Sequence, residues 1–284
     1  MEWIERLNSA VNFIEENIKE TINLEEVSKI ACCSTYHFQR MFAYIADIPL
    51  SEYIRRRRMS LAAVDLQSGN EKVIDISLKY GYDSPTAFNR AFKSVHGITP
   101  SRAKEEGTIL KAFPPISFKI TIKGDSEMNY RIEKKESFRI VGISEPLEAK
   151  IEKNFKIVPK MWGTAAMNGT IARLAAMMEG MPMGMLGVSS CNESDNWRYY
   201  IAVASSQPIE NNLEEYIVPS SLWAVFSGEG NAQSIQELEK RILTEWLPTS
   251  GYEYGNAPDI EMYLNPDPEN TQYEVWIPVS KKES

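Results

Sequence analysis

With 284 residues, 43% hydrophobic and 25% charged, the chain has the make-up of a folded protein of about two domains, which excludes fibrous, repetitive and wholly disordered classes. A net charge of −8 argues against nucleic acid at first sight, because duplex affinity depends on neutralising phosphates. The distribution reverses that: residues 28–58 carry six basic groups against two acidic ones, residues 76–104 carry five against one, and the acids gather near the N-terminus and after residue 107.

Three cysteines, with Cys32 and Cys33 adjacent, make no spaced framework and read as free thiols in a reducing compartment. No stretch approaches ~18 uninterrupted apolar residues. A cytoplasmic protein without membrane contact is expected.

From Trp3 the pattern is helical, with Leu7, Val11, Ile14 and Ile18 at three- and four-residue spacing. Shifting the sequence by fifty positions reveals a repeat: Ser34, Phe38, Arg40 and Phe42 fall on Ser84, Phe88, Arg90 and Phe92. A short amphipathic helix precedes each serine, Leu24 to Ala31 in one copy and Val73 to Tyr80 in the other. This is a helix-turn-helix written twice, with each serine as N-cap and Pro85 at a first helical position, where its missing N–H costs nothing. Between the copies, Ser51 to Gln67 predicts a long spacer helix. Its four arginines at 55 to 58 cannot all face one way; one or two are expected on phosphate and the rest on acids or in water.

The faces of the second helices carry the functional signal. In the first copy Phe38, Met41, Phe42 and Ile45 form a core stripe, leaving Tyr36, Gln39, Arg40 and Ala43 outward; the second copy presents Thr86, Asn89, Arg90 and Lys93 at matching phases. Arginine forks pair with guanine, and glutamine or asparagine with adenine. Any one of these side chains is as readily an ordinary solvated group. The phase-locked repetition favours double-stranded DNA as the partner, read in successive major grooves roughly 34 Å apart.

Taken together, Ser34-Thr-Tyr-His-Phe-Gln-Arg-Met-Phe42, Tyr53-Ile-Arg-Arg-Arg-Arg-Met59, Tyr80-Gly-Tyr-Asp-Ser84, Phe88-Asn-Arg-Ala-Phe-Lys93 and Gly97-Ile-Thr-Pro-Ser-Arg102 resemble the signature of the AraC/XylS regulators, in particular Rob-like members with a GyrI-like domain following. The resemblance covers about residues 3 to 104. It implies base and backbone contacts by Tyr36, Gln39 and Arg40 in one helix and by Thr86, Asn89 and Arg90 in the other. The sequence departs from the pattern at Asp47, where a glycine usually closes the first recognition helix, and at Pro85 and Thr86, where glutamines are frequent.

After Lys111 the helical pattern stops, Pro114 and Pro115 break any helix, and a linker is expected over 108–127. Residues 128–284 then read as two ββαββ halves. The first has strands at Asn129–Glu133, Phe138–Ser144, Met185–Cys191 and Trp197–Ala204 with a helix near Lys160–Met178. The second has strands at Glu214–Val218, Leu222–Gly228, Ile260–Leu264 and Tyr273–Val279 with a helix at Ala232–Trp246. This arrangement resembles the GyrI-like α+β domain, which implies binding of small amphipathic ligands. Strand alternation puts Glu274 with Trp276, and Glu261 with Tyr263, on one side of their strands. A carboxylate among aromatics suits an organic cation, so Glu261, Glu274, Trp276, Tyr263 and Trp223 are the expected ligand contacts; either glutamate also fits as a solvated strand residue. Seven methionines between Met161 and Met185 suit a pliable pocket or, more economically, core.

The expectation is thus a multidomain protein: an all-α domain with two helix-turn-helix motifs over 1–107, then the α+β domain. Its function would be sequence-specific transcription regulation, activation being favoured, with RNA polymerase and a small-molecule effector as further partners. No cofactor and no metal site are expected, with only His37 and His96 present. Hydrolase activity using Glu261 or Glu274, and a ligand-free interaction module, remain as alternatives for the second domain.

Overall fold

The computed structural model describes residues 3–69, 71–119, 127–148, 151–192, 196–209, 212–265, 267 and 270–282, with the side chains of 191, 192 and 196 outside that description. The part of the expected linker at 120–126, and the thiol of Cys191, therefore lie outside it. Two compact units divide the chain, Met1–Lys119 and Ile120–Ser284.

The first unit contains α1 (Trp3–Glu16), α2 (Leu24–Ile30), α3 (Thr35–Ala46), α4 (Leu50–Ser68), α5 (Val73–Lys79), α6 (Pro85–His96) and α7 (Pro100–Ala103). Ser34 Oγ accepts from the His37 N–H at 3.2 Å and Ser84 Oγ from the Ala87 N–H at 3.1 Å, so both serines cap as their positions demand. α3 closes on Asp47 at φ 55° and α6 on Gly97 at φ 81°. A side chain in that left-handed region costs about 1–2 kcal/mol, which the glycine avoids.

Each of the four consecutive arginines bonds inside the unit. Arg55 and Arg56 pair with Glu52. Arg57 forks onto Glu15 at 2.9 and 2.7 Å and donates to the Phe113 carbonyl. Arg58 donates to the Ile18 and Glu20 carbonyls just beyond α1, where a cation offsets the helix dipole.

Residues 108–118, expected to begin a linker, form a strap on this unit. The backbone N–H groups of Lys111, Phe113, Ile116 and Phe118 donate to His96 Nδ1, Ser60 Oγ, Tyr53 Oη and Asn8 Oδ1 at 2.7–3.2 Å. Leu110 and Phe113 pack against the α4–α6 core, and Phe118 meets Phe42 edge-on at 5.8 Å. Prolines 114 and 115 forbid a helix but not packing; an extended segment needs outside partners for its amides, and α1, α4 and α6 supply them.

The second unit is one antiparallel sheet in the order β1-β6-β9-β8-β3-β4-β2-β5, with β7 paired to β9. Its strands are β1 (Tyr130–Lys135), β2 (Phe138–Pro146), β3 (Met185–Asn192), β4 (Asn196–Ala204), β5 (Glu214–Val218), β6 (Ser221–Gly230), β7 (Tyr252–Tyr254), β8 (Asp259–Tyr263) and β9 (Thr271–Lys281). Read from either edge the order repeats, which places a pseudo-twofold axis between β8 and β3 and relates the two halves. The expected helix near 160–178 is two helices, α8 (Ile151–Met167) and α9 (Thr170–Ala176), parted by Gly169 at φ 81°. Pro159 stands inside α8 rather than at its start. In the second half, α10 (Ala232–Arg241) continues as a π turn over Ile242–Trp246 before the short α11 (Leu247–Thr249). β7 had no sequence signal because three residues are too few to show alternation.

Candidate functional site

The two recognition helices differ in how exposed their outer faces are. On α6, Phe88 and Phe92 are fully buried, so the opposite side is open and Thr86, Asn89, Arg90 and Lys93 are all exposed. On α3 the matching Gln39 and Arg40 are each only 8% exposed, Tyr36 is half-buried, and the Arg40 guanidinium lies 5.5 Å from the centre of the Tyr44 ring. Two helices that look equivalent in sequence thus differ in burial.

In the sheet unit, alternation and register divide the five expected ligand contacts. Glu261 pairs with Gly187 of β3 and with Val275 of β9, while Glu274 pairs with Met262 and Ser227. Directly opposed residues share a face, so Glu261 and Tyr263 lie on one side of the sheet, and Glu274, Trp276 and Trp223 on the other.

On its side Glu274 is already matched. Arg131 reaches its Oε1 at 2.8 Å, the Trp276 indole N–H donates to Oε2 at 2.9 Å, and the Lys135 ammonium stands 4.9 Å above the Trp276 ring. Trp223 is fully buried and packs on Trp276 at 6.2 Å. The chain fills this aromatic and acidic set with its own cations.

Glu261 has a different setting. The pairs Ser189–Tyr199 and Tyr263–Tyr273 are equivalent across the two halves, each two residues beyond the Gly187–Glu261 pair, so the pseudo-dyad passes through Glu261 and Gly187. Glu261 Oε2 accepts from the Tyr263 hydroxyl at 2.8 Å and from the Tyr199 hydroxyl at 3.2 Å. The Trp162 indole N–H of α8 donates to Tyr199 Oη at 3.0 Å, and its ring meets that of Tyr263 at 5.0 Å, edge to face. Burial first, and then the Glu261 charge, pushes the Tyr263 phenol well above its ordinary value, so it stays a donor.

Glycine on the dyad makes this possible. A β-carbon at Gly187 would stand 2.2 Å from Tyr199 Oη and 3.1 Å from Glu261 Oε2. The equivalent Tyr273 leans the other way, over Gly228, and donates to Ser234 Oγ of α10 at 3.1 Å, because its inward neighbour is Glu261 and not glycine. Met161, Met177 and Met185 pack in the core around Tyr199, whereas Met167, Met181 and Met183 are exposed.

Residues 131–279 match the family model for the integron-associated effector-binding protein Cass2, and residues 27–106 match a helix-turn-helix domain model. The chain belongs to the AraC-type regulators that carry a Cass2, GyrI-like effector-binding domain. The regulatory protein SoxS of Salmonella typhimurium is 36% identical over 95 residues, which cover 34% of this chain and 89% of SoxS. The transcriptional activator AarP of Providencia stuartii is 44% identical over 89 residues, 31% of this chain and 66% of AarP, so just under two thirds of that relative is spanned. A solved transcription regulation protein of Staphylococcus aureus MU50 aligns at 25% identity over 54% of this chain and 99% of its own, with a TM-score of 0.46. Among the described residues of this regulator no helix is long and apolar enough to cross a membrane, and no group of His, Cys, Asp and Glu is placed to hold a metal ion.

Within the Cass2 domain, Tyr199 and Gly187 escaped sequence reasoning, whereas Trp162 is one of the tryptophans that the sequence offers as pocket wall or core. Their signal was available: Tyr199 and Tyr273 occupy equivalent places in the two halves, and aligning those halves puts Gly187 opposite Glu261.

Proposed function

We propose that this regulator senses an organic cation at Glu261 and transmits its occupancy to DNA binding, acting as an activator that engages RNA polymerase. The observation that carries the reading is the Glu261 carboxylate held by two phenols beneath the Trp162 indole, a combination of charge and aromatic faces that favours a lipophilic cation over a neutral molecule. AarP is described as an activator, which supports that sense of regulation. On the DNA side, Thr86, Asn89, Arg90 and Lys93 of α6 form the open reading surface. Tyr36, Gln39 and Arg40 of α3 are the second reading set, for the neighbouring groove.

The test is binding of tetraphenylphosphonium to the full chain, followed by calorimetry and thermal shift, with Glu261→Gln, Glu274→Gln and the neutral triphenylphosphine oxide as comparators. Binding of the cation should raise the melting temperature of wild type and of Glu274→Gln, while Glu261→Gln loses most of it. Equal responses from cation and neutral analogue, or from wild type and Glu261→Gln, would refute the assignment.

A further inference from the structure

The strap over residues 108–118 touches both helix-turn-helix units and follows α4 between them. Its early part, Leu110 and Phe113, packs in the core that holds Phe88 and Phe92 of α6, and the Lys111 N–H donates to His96 at the end of α6. Its late part ends on the first unit. Phe118 packs against Phe42 of α3, and the Asn8 amide grips its backbone twice, accepting from the N–H at 2.7 Å and donating to the carbonyl at 2.9 Å. In between, Tyr53, Arg57 and Ser60 form one stripe of α4 at four- and three-residue spacing, and all three are buried. Ser60 Oγ accepts from the Phe113 N–H, Arg57 donates to the Phe113 carbonyl, and Tyr53 Oη accepts from the Ile116 N–H.

The residues between these anchors are Pro114 and Pro115, both exposed. They add nothing to the core, and lacking an N–H they ask for no acceptor. What they bring is length and stiffness. From Tyr53 to Ser60 α4 rises about 10 Å, and the three steps from Phe113 to Ile116 span about the same when proline holds them extended. We propose that the strap is a second spacer alongside α4, stiffened by Pro114 and Pro115, that fixes the separation of α3 and α6 and makes the protein selective for the spacing of the two DNA sites they read. The proposal rests on the reading of DNA by both helices and adds the residues that set the spacing. Phe118 on Phe42, and Leu110 with Phe113 beside Phe88 and Phe92, tie the buried sides of both recognition helices to one stiff segment. A shift of either helix along α4 breaks one of these contacts.

The test uses the full chain with the duplex that wild type selects, and with the same duplex carrying one base pair inserted or removed between its half-sites. Wild type should lose about tenfold or more in affinity on either change, the order of a mismatched site. Pro114→Gly combined with Pro115→Gly should still fold, as melting curves will show, and should narrow that penalty to within about threefold by binding the altered duplexes better. Phe118→Ala, which releases the α3 end, should narrow it too. A strap that only stabilises the fold would lower affinity for all three duplexes by one factor and leave the penalty intact. That result overturns the proposal, as does a wild type indifferent to spacing, and both leave DNA binding itself standing. If the glycine variant melts below assay temperature, Pro114→Ala with Pro115→Ala takes its place. Should wild type select no duplex at all, the reading of DNA by α3 and α6 fails and this inference with it.

Discussion

Replacing Glu15 by alanine should cripple the helical unit although Glu15 lies far from either recognition face in sequence. Its carboxylate accepts three bonds from Arg57, whose side chain is only 10% exposed, and one of 2.6 Å from Tyr53. Without it a nearly buried guanidinium keeps just the Phe113 carbonyl, and breaking such a pair from one side costs about 3–5 kcal/mol. The Tyr53 hydroxyl loses its acceptor as well, but because one carboxylate serves both groups the two losses overlap and the total should stay near that range. For a unit of this size about 4 °C is lost per kcal/mol, so a fall of roughly 12–20 °C is expected. Far-UV circular dichroism of the full chain, dominated by the helices, follows it. Glu15→Ala combined with Arg57→Met should cost clearly less than the sum of the two, since the orphaned charge is then gone. A single-variant loss under about 1 kcal/mol, or strict additivity, would refute the claim that the arginine run is an internal latch.

The remaining expectations concern DNA, protons and thiols. Asn89→Ala and Arg90→Ala should each weaken a selected duplex by about 1–3 kcal/mol and relax its sequence preference, while Lys93→Ala lowers affinity for all sequences and reduces the salt slope by about one; an unchanged sequence profile in both base-reading variants would count against α6. Burial pushes His96 below its ordinary 6.5. The folded state therefore holds it neutral, with Nε2–H on the Met59 carbonyl and Nδ1 accepting from Lys111. Its stabilisation is complete above pH 6.5 and is lost as pH falls, because the unfolded chain then binds a proton that the folded one refuses. Melting temperature should drop more steeply toward pH 5 in wild type than in His96→Gln, and identical slopes would dismiss His96 as the source. Burial raises the Cys33 thiol to about 12, so peptide mapping after brief alkylation at pH 8 should find Cys32 modified and Cys33 intact until the chain unfolds.

Much of this was legible from periodicity. The repeated serine, phenylalanine and arginine positions fixed both helix-turn-helix units, because caps and apolar stripes are local signals. The strap was not legible: its amides are satisfied by Asn8, Tyr53, Ser60 and His96, residues up to 110 positions away, and prolines that end a helix say nothing about docking. The partners of the arginine run were not legible for a similar reason, since the composition shows a cation and not the Glu15 or Ile18 carbonyl it meets. In the Cass2 domain alternation correctly placed Glu261 with Tyr263 and Glu274 with Trp276. It could not say that the two pairs face opposite sides, because that depends on the β8–β9 register.

The most direct measurement is the affinity of the full chain for its own selected duplex with and without saturating tetraphenylphosphonium, in wild type and in Glu261→Gln. Coupled sites share one linkage free energy, typically about 1–3 kcal/mol, so wild type should shift about five- to a hundredfold and the variant hardly at all. An identical shift in both proteins, or none in wild type despite bound cation, would contradict the account of Glu261 as the group through which ligand controls DNA.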